Sequence, residues 1–269
     1  ALSYARNLIK VHRWSCLFNG LDAYICQSIT SNAVEFSMNL YLDQYYPTYG
    51  GLPENLAVSE DELDDIDSAR RALRSVVRGC TSRFVATTIA RPFSVIMIRK
   101  VAQIVGSETK YSDVLSSLFL IGREEGPTGL LSGIVPQLIG DFLTIVGINS
   151  VIYIVERFLK RAKVDRTDKN TEEMLKSTSM MLHYTTPLIV NTFVYPFSVV
   201  STVMAVAGSG LAASVLPYSP VFGIWQDAWN YLDAKQALNR GARLFLRQYK
   251  GPISIGEDGT VFASNRHFV

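Results

Sequence analysis

The sequence has none of the short motifs by which the common enzyme classes are recognised. No GxxxxGKS or GxxxxGKT, HExxH, GxSxG or GxGxxG occurs, so phosphate-loop, zinc-protease, serine-hydrolase and dinucleotide chemistry lack their starting residues. Cysteine is scarce: Cys16, Cys26 and Cys80 form no CxxC pair and leave an odd thiol, which argues against a disulfide framework and against a zinc site. Charge of one sign is scarce too. A net +2, with basic residues scattered and no run of them interleaved with aromatics, excludes nucleic acid as a partner. The chain opens on Ala1 with no basic-then-apolar signal and no Arg- and Ser-rich transit segment. Gly208 and Gly210 need no phosphate to explain them, because they follow a helix end, where positive φ is useful. No cofactor, no metal and no enzymatic activity is expected.

What is present is apolar and repeated. Hydrophobic residues make up 48% of the chain and charged residues 19%, with a mean hydropathy of +0.16, a balance that requires membrane helices and charged loops together. Pro92-Phe93-Ser94-Val95 recurs letter for letter as Pro196-Phe197-Ser198-Val199, each copy inside a helix-length apolar stretch. A proline inside a helix removes a backbone bond, a defect that membrane helices tolerate because their neighbours re-satisfy the freed groups.

The spacing predicts a surface-lying helix over Ala1 to Lys10, then a membrane helix from Gly20 to Leu42 whose carboxylates Asp22 and Glu35 must avoid lipid. Pro47 to Asp67, with its acidic cluster from Glu60, reads as a solvated loop. Ser75 to Val105 follows as a helix broken near Pro92, and only a protein interior or a wet cavity can host its Arg83 and Arg91. Tyr111 to Glu125 is amphipathic and stops at Gly126-Pro127. Leu130 to Leu159, with Pro136, Asp141 and Asn149, and Ser177 to Val206, with His183 and Asn191, are the two clearest spans. Val221 to Leu232 carries Phe222, Trp225, Trp229 and Leu232 at helical spacing and reads as a second surface helix, the tryptophans anchoring it at the interface. Beyond Asp233 no uncharged stretch approaches the length of a span, so a final membrane helix is not expected.

Kinked helix, surface helix, second helix, repeated at about a hundred residues, resembles the mitochondrial carrier superfamily. Its repeats carry Pro-x-acidic-x-x-basic and, later, acidic-Gly-x4-aromatic-basic-Gly. Glu125, Gly126 and Gly133 match the later element in the second repeat, with Leu131 and Ser132 where an aromatic and a base are usual; Phe18 and Gly20 match it in the first. The earlier element has lost its charges: Ser94 and Met97 follow Pro92, and Ser198 and Ser201 follow Pro196. Glu108-Thr109-Lys110-Tyr111, Arg123-Glu124-Glu125-Gly126, Gly133-Ile134-Val135-Pro136, Tyr195-Pro196-Phe197 and Pro217-Tyr218-Ser219-Pro220 together look like the mitochondrial carrier homologue branch.

That resemblance implies an all-α membrane protein, a degenerate carrier bundle with kinked transmembrane helices, surface amphipathic helices and no last carrier helix. Residues 1–46 would be a partial first repeat that starts after the usual first membrane helix, 47–74 the acidic loop, 75–163 the second repeat and 164–269 the third. The branch is implied to be a multi-pass outer-membrane group that inserts tail-anchored and other α-helical proteins, with lipid scrambling also attributed to it. Dragging a charged segment across hydrocarbon costs about 2.5–3.5 kcal/mol per central charge, and a polar groove open to lipid lowers that cost. Asp141 is the first candidate to line such a groove, facing water or paired with Arg83 or Arg91; Asn149, His183, Asn191 and Tyr195 are the others. Pro92, Pro136 and Pro196 are expected to kink their helices. Two further readings stand beside this one: a solute carrier of the inner membrane, which the lost latch charges oppose, and a docking receptor for apoptotic proteins using the acidic loop or the Trp225 helix.

Overall fold

A computed structural model describes residues 9, 14–51, 65–161, 169–214, 222–235, 237–239, 253–255 and 261–263. The expected surface helix at the start of the chain, most of the acidic cluster and most of the basic stretch after Asp233 lie outside the described residues.

A 3-10 turn at Trp14–Phe18 leads through Gly20, whose φ of 86° is left-handed, into α1, Leu21–Tyr45. A Cβ at Gly20 would stand 3.2 Å from the Met97 carbonyl, so glycine is required there both for φ and for close approach. Then follow α2, Asp65–Ala102; α3, Val114–Glu124; the short α4, Gly126–Leu130; α5, Ile134–Arg161; α6, Lys169–Val206; and α7, Trp225–Ala234. A two-stranded antiparallel pair, β1 (Ile253–Ile255) and β2 (Val261–Ala263), comes last.

The long helices run antiparallel in chain order. Asp22 and Asp43 on α1 meet Lys100 and Arg78 on α2; Thr87 and Ser75 on α2 meet Asp141 and Asn149 on α5. Gly140 and Gly147 on α5 lie against Val194 and Val190 on α6. The result is an arc, α1–α2–α5–α6, with α1 and α6 at its two ends. The missing side chains at Gly140 and Gly147 let α5 and α6 approach closely, the usual device where hydrocarbon tails give no hydrophobic drive for helices to associate.

Two helical segments, Gly126–Val155 and Met180–Val206, are long and apolar enough to cross a membrane by length and composition. On α1, α5 and α6 the outward surface is strongly apolar: Ile25, Ile29, Phe36, Phe142, Ile154, Leu188 and Phe193 are exposed. So much contiguous apolar surface is suited to lipid and unsuited to water. The helix α1 has 25 residues and is therefore about 37 Å long, enough to span. Its three acidic residues each meet a basic residue of α2: Asp22 with Lys100 at 2.6 Å, Glu35 with Arg83 at 3.2 Å, and Asp43 with Arg78. The carboxylates that make α1 too polar to pass for an ordinary span are thus matched across its face with α2.

One end of the bundle holds the main apolar core, where Ala23, Val95, Ile96, Tyr111, Ile121, Ala205 and Leu211 are buried together and α3 is packed beneath. A second cluster joins α7 to α6 through Val200, Ala228 and Leu232. Phe197 stands 4.9 Å from Trp229 and 6.4 Å from Trp225 between ring centroids, and the two indoles meet edge to face. Much of the tryptophan surface is thereby committed to α6.

Several boundaries differ from those the sequence predicts. The acidic segment runs straight into a helix at Asp65 rather than at Ser75: acidic residues favour a helix N-terminus, and Asp67 pairs with Arg70 one turn on. Pro92 and Pro196 lie inside unbroken helices, and α6 holds a further interior proline, Pro187, that the repeat did not reveal. The expected kink at Pro136 is corrected. This residue sits in the first turn of α5, where a missing N–H costs nothing, so it starts the helix rather than bending it.

Candidate functional site

The face of α5 between its neighbours is defined by geometry: Gly140 and Gly147 touch α6, while Asp141 and Ile145 touch α2. Asp141 is 11% exposed at its side chain. One carboxylate oxygen accepts a hydrogen bond from the Thr87 hydroxyl at 2.6 Å and lies 3.8 Å from the Arg83 Nε; the other accepts from the Gln137 amide at 3.2 Å. Arg83, 41% exposed, also donates to Glu35 on α1, which is 35% exposed. Three helices thus contribute to one charged, half-open layer, Glu35–Arg83–Asp141. Glu35 lies roughly midway between the exposed Tyr24 and Tyr45, about 15–17 Å along α1 from each at 1.5 Å per residue, which sets the layer near the middle of α1.

The other expected groove residues fall in different places. Asn149 accepts from Ser75 at 3.3 Å and joins α5 to α2 two turns away from Asp141. Asn191 and His183 are exposed on α6, and Tyr195 is half-buried. The structure thus brings Arg83 and Asp141 together, leaves Asn191 exposed on α6, and gives His183 no ionisable partner among the described residues.

Arg91 departs from the expectation that it lines an open groove, and it makes no direct contact with Asp141, although the Asp141 charge acts on it. It is 2% exposed, and its guanidinium donates to the Ser132 carbonyl through Nε at 3.0 Å and Nη2 at 2.6 Å, and to the Ser201 hydroxyl at 2.8 Å. Ser201, standing where a carrier keeps a base, passes the connection on by donating to the Gly133 carbonyl at 2.9 Å. Gly133 has φ 68°, and a Cβ there would collide with the Ser201 carbonyl, so this motif glycine is fixed by both torsion and contact.

Two turns on from Arg91, Arg99 is fully buried. It makes a bidentate pair with Glu125, donates to the Ala205 carbonyl through Nε at 2.9 Å and reaches the Tyr111 hydroxyl at 3.3 Å. The last four carbonyls of a helix have no partner within it, and for α6 each one is accounted for. Val203 accepts from the Ala207 N–H, Met204 from the Ser132 hydroxyl at 2.7 Å, Ala205 from Arg99, and Val206 from the Ser209 N–H. Arg99 also brings positive charge to the negative end of the helix dipole. Outside the spans, Lys110 donates to Glu124 at 2.6 Å and to the Ser209 carbonyl at 2.9 Å, and it tightens the same end. Burial lowers its basicity, but the hydrogen bond to Glu124 and the electrostatic pull of Tyr111, Glu124 and Glu125 together outweigh that and hold the ammonium above the ordinary lysine pKa of 10.5.

Glu125 is legible in the sequence only as a motif letter; the acidic-Gly element is the available signal for its pairing with Arg99. Thr87 and Gln137 were overlooked although each lies four residues from a named candidate, Arg83 and Asp141, on the same helix face. No cluster of three or more metal-ligating side chains occurs among the described residues.

Antiparallel helices in an arc, surface helices between them and an acidic-Gly element tied to the preceding helix define a carrier-type membrane scaffold. The family profile described as "Mitochondrial carrier protein" matches residues 68–163. The chain is 32% identical over 246 residues to the human "Mitochondrial carrier homolog 2", covering 91% of this chain and 77% of that one. It is 30% identical over 259 residues to the mouse "Mitochondrial carrier homolog 1", covering 91% and 63%. A "Probable mitochondrial 2-oxodicarboxylate carrier" of Schizosaccharomyces pombe is 26% identical over 158 residues, 56% of this chain and 48% of that one. The chain belongs to the mitochondrial carrier superfamily, in the branch of the mitochondrial carrier homologues, and is a mitochondrial membrane protein.

Proposed function

We propose that this protein is an insertase of the mitochondrial outer membrane, passing tail-anchored and other α-helical membrane proteins through a polar groove that is open to lipid. The observation that carries the reading is the half-exposed layer Glu35–Arg83–Asp141 near the middle of a bundle whose outer surface is apolar. A substrate's polar end that travels along this layer keeps hydrogen-bonding partners and counter-charges, so it avoids the ~2.5–3.5 kcal/mol per charge of crossing hydrocarbon unaided. The apolar substrate helix leaves sideways, between the two ends of the arc. Polar lipid headgroups would gain from the same path, and scrambling is then a by-product of the groove.

Solute exchange fits less well. A carrier must break the contacts at one end and make equivalent ones at the other, but here that end is held by Arg91 and Arg99 on backbone carbonyls of Ser132 and Ala205. A docking role for apoptotic regulators would rest on the acidic segment or on α7, and α7 has Trp225 and Trp229 turned against Phe197.

The test is reconstitution. Purified protein in liposomes is offered a tail-anchored substrate, a panel of anions and a fluorescent lipid. Insertion above protein-free liposomes is expected; anion exchange without insertion overturns the proposal.

A further inference from the structure

The charged layer is unbalanced in a way that has a use. In direct contacts it holds two carboxylates against one guanidinium: Arg83 reaches Glu35 at 3.2 Å and Asp141 at 3.8 Å, while the next guanidinium on the helix, Arg91, feels the charge of Asp141 but has its donors committed to Ser132 and Ser201. The two carboxylates are not equivalent. Asp141 is mostly buried and keeps donors from Thr87 and Gln137 whatever Arg83 does. Glu35 is three times as exposed, sits on α1 at one end of the arc, and among the described residues has Arg83 as its hydrogen-bond partner.

We propose that Glu35 selects the substrate: it accepts a lysine or arginine side chain from the polar segment being inserted, while Arg83 moves fully onto Asp141. The inference rests on the insertase reading and names the class of polar segment that the groove prefers. In the resting protein Arg83 occupies the place that the substrate's cation takes. The exchange leaves no charge unpaired in a low-dielectric setting, since each cation ends with one carboxylate; an acidic segment would meet Glu35 with nothing to offer but repulsion. Half-exposure of Arg83 allows the exchange, because a fully buried pair would lose several hydrogen bonds on opening.

Three tail-anchored reporters, identical but for two lysines, two serines or two glutamates after the membrane helix, test this in liposomes without a membrane potential. The intact chain is expected to insert the lysine-tailed reporter over the glutamate-tailed one by about three- to tenfold, the scale of one partly exposed charge pair. Each value is normalised to the serine-tailed reporter of the same variant. Glu35→Gln keeps the shape and the acceptor for Arg83 and is expected to bring the ratio close to one. Glu35→Lys is expected to invert it, and Glu35→Asp to retain it. An unchanged ratio in Glu35→Gln overturns the proposal, as does equal insertion of lysine and glutamate tails by a wild-type protein that inserts the serine tail well. Failure of wild type to insert even the serine tail would instead remove the insertase reading and this inference with it.

Discussion

Replacing Glu125 by Gln removes the counter-charge of Arg99 while keeping the size of the side chain. Arg99 is fully buried and Glu125 is 20% exposed at its side chain, so the guanidinium stays in a low-dielectric site and relies on the Ala205 carbonyl and the Tyr111 hydroxyl. Breaking a buried pair from one side costs about 3–5 kcal/mol; the partial exposure of Glu125 and the one acceptor that Gln retains reduce this to ~2–3 kcal/mol. For a chain of this size that corresponds to a fall in Tm of ~4–12 °C, read from thermal unfolding in detergent micelles. The double variant Arg99→Met with Glu125→Gln removes the stranded charge and is expected to recover part of the loss, although Ala205 then lacks its cap. If Glu125→Gln melts within a degree of wild type, the pair does not hold this end of the bundle. The account of a fixed end would then be wrong.

Gly133→Ala is expected to destabilise by ~2–4 kcal/mol, because it combines a φ of 68° with a collision against Ser201; a wild-type melting curve would contradict the close approach. For Lys110 the folded-state pKa is raised, so its stabilising contribution is complete below the ordinary value of 10.5 and is lost as pH rises through the higher folded value. Lys110→Met is therefore expected to flatten the alkaline limb of a plot of melting temperature against pH above that value, and an unchanged limb would contradict the Glu124 contact. Asp141→Asn removes the charge of the inner carboxylate while keeping an acceptor for the Thr87 hydroxyl, and is expected to change insertion per folded molecule in the liposome assay. Unchanged insertion would make Asp141 a bystander.

The parts of this structure that were legible in the sequence are those that repeat or have a single physical meaning. The copied Pro-Phe-Ser-Val segment marked α2 and α6 as equivalent helices, and the long apolar runs marked α5 and α6 as spans. Asp141 could be placed inside from chemistry alone, since a carboxylate in such a run has few tolerable surroundings. What was illegible depended on partners distant in the chain. Arg91 and Arg99 are equally basic on paper, yet one meets a hydroxyl and carbonyls and the other a carboxylate, and nothing local distinguishes those outcomes. Pro136 was misread because its effect depends on where α5 begins, which Gly133 and the Arg91 contact decide. Glu35 was visible only as a charge that lipid would reject; its meeting with Arg83 joins residues 48 apart.

The kind of bond at the fixed end bears on how far this scaffold can move. A side-chain ion pair can be traded for another on the opposite face of a membrane protein, because both partners travel on flexible stems and either can find a new counter-charge. A guanidinium bonded to a helix's terminal carbonyls has no such exchange available. Separating α2, together with the segment that carries Glu125 and Ser132, from the end of α6 would strand the Met204 and Ala205 carbonyls and the Ser132 hydroxyl, and would take one buried acceptor each from Arg91 and Arg99. Each unmet group in such surroundings costs about 1–3 kcal/mol, and more where a charge is involved. Summed over these groups the cost rivals the ~5–15 kcal/mol by which a whole domain is stable. A rocking motion that opens this end therefore approaches unfolding in cost, whereas traffic past the Glu35–Arg83–Asp141 layer needs only a half-exposed pair to change partners.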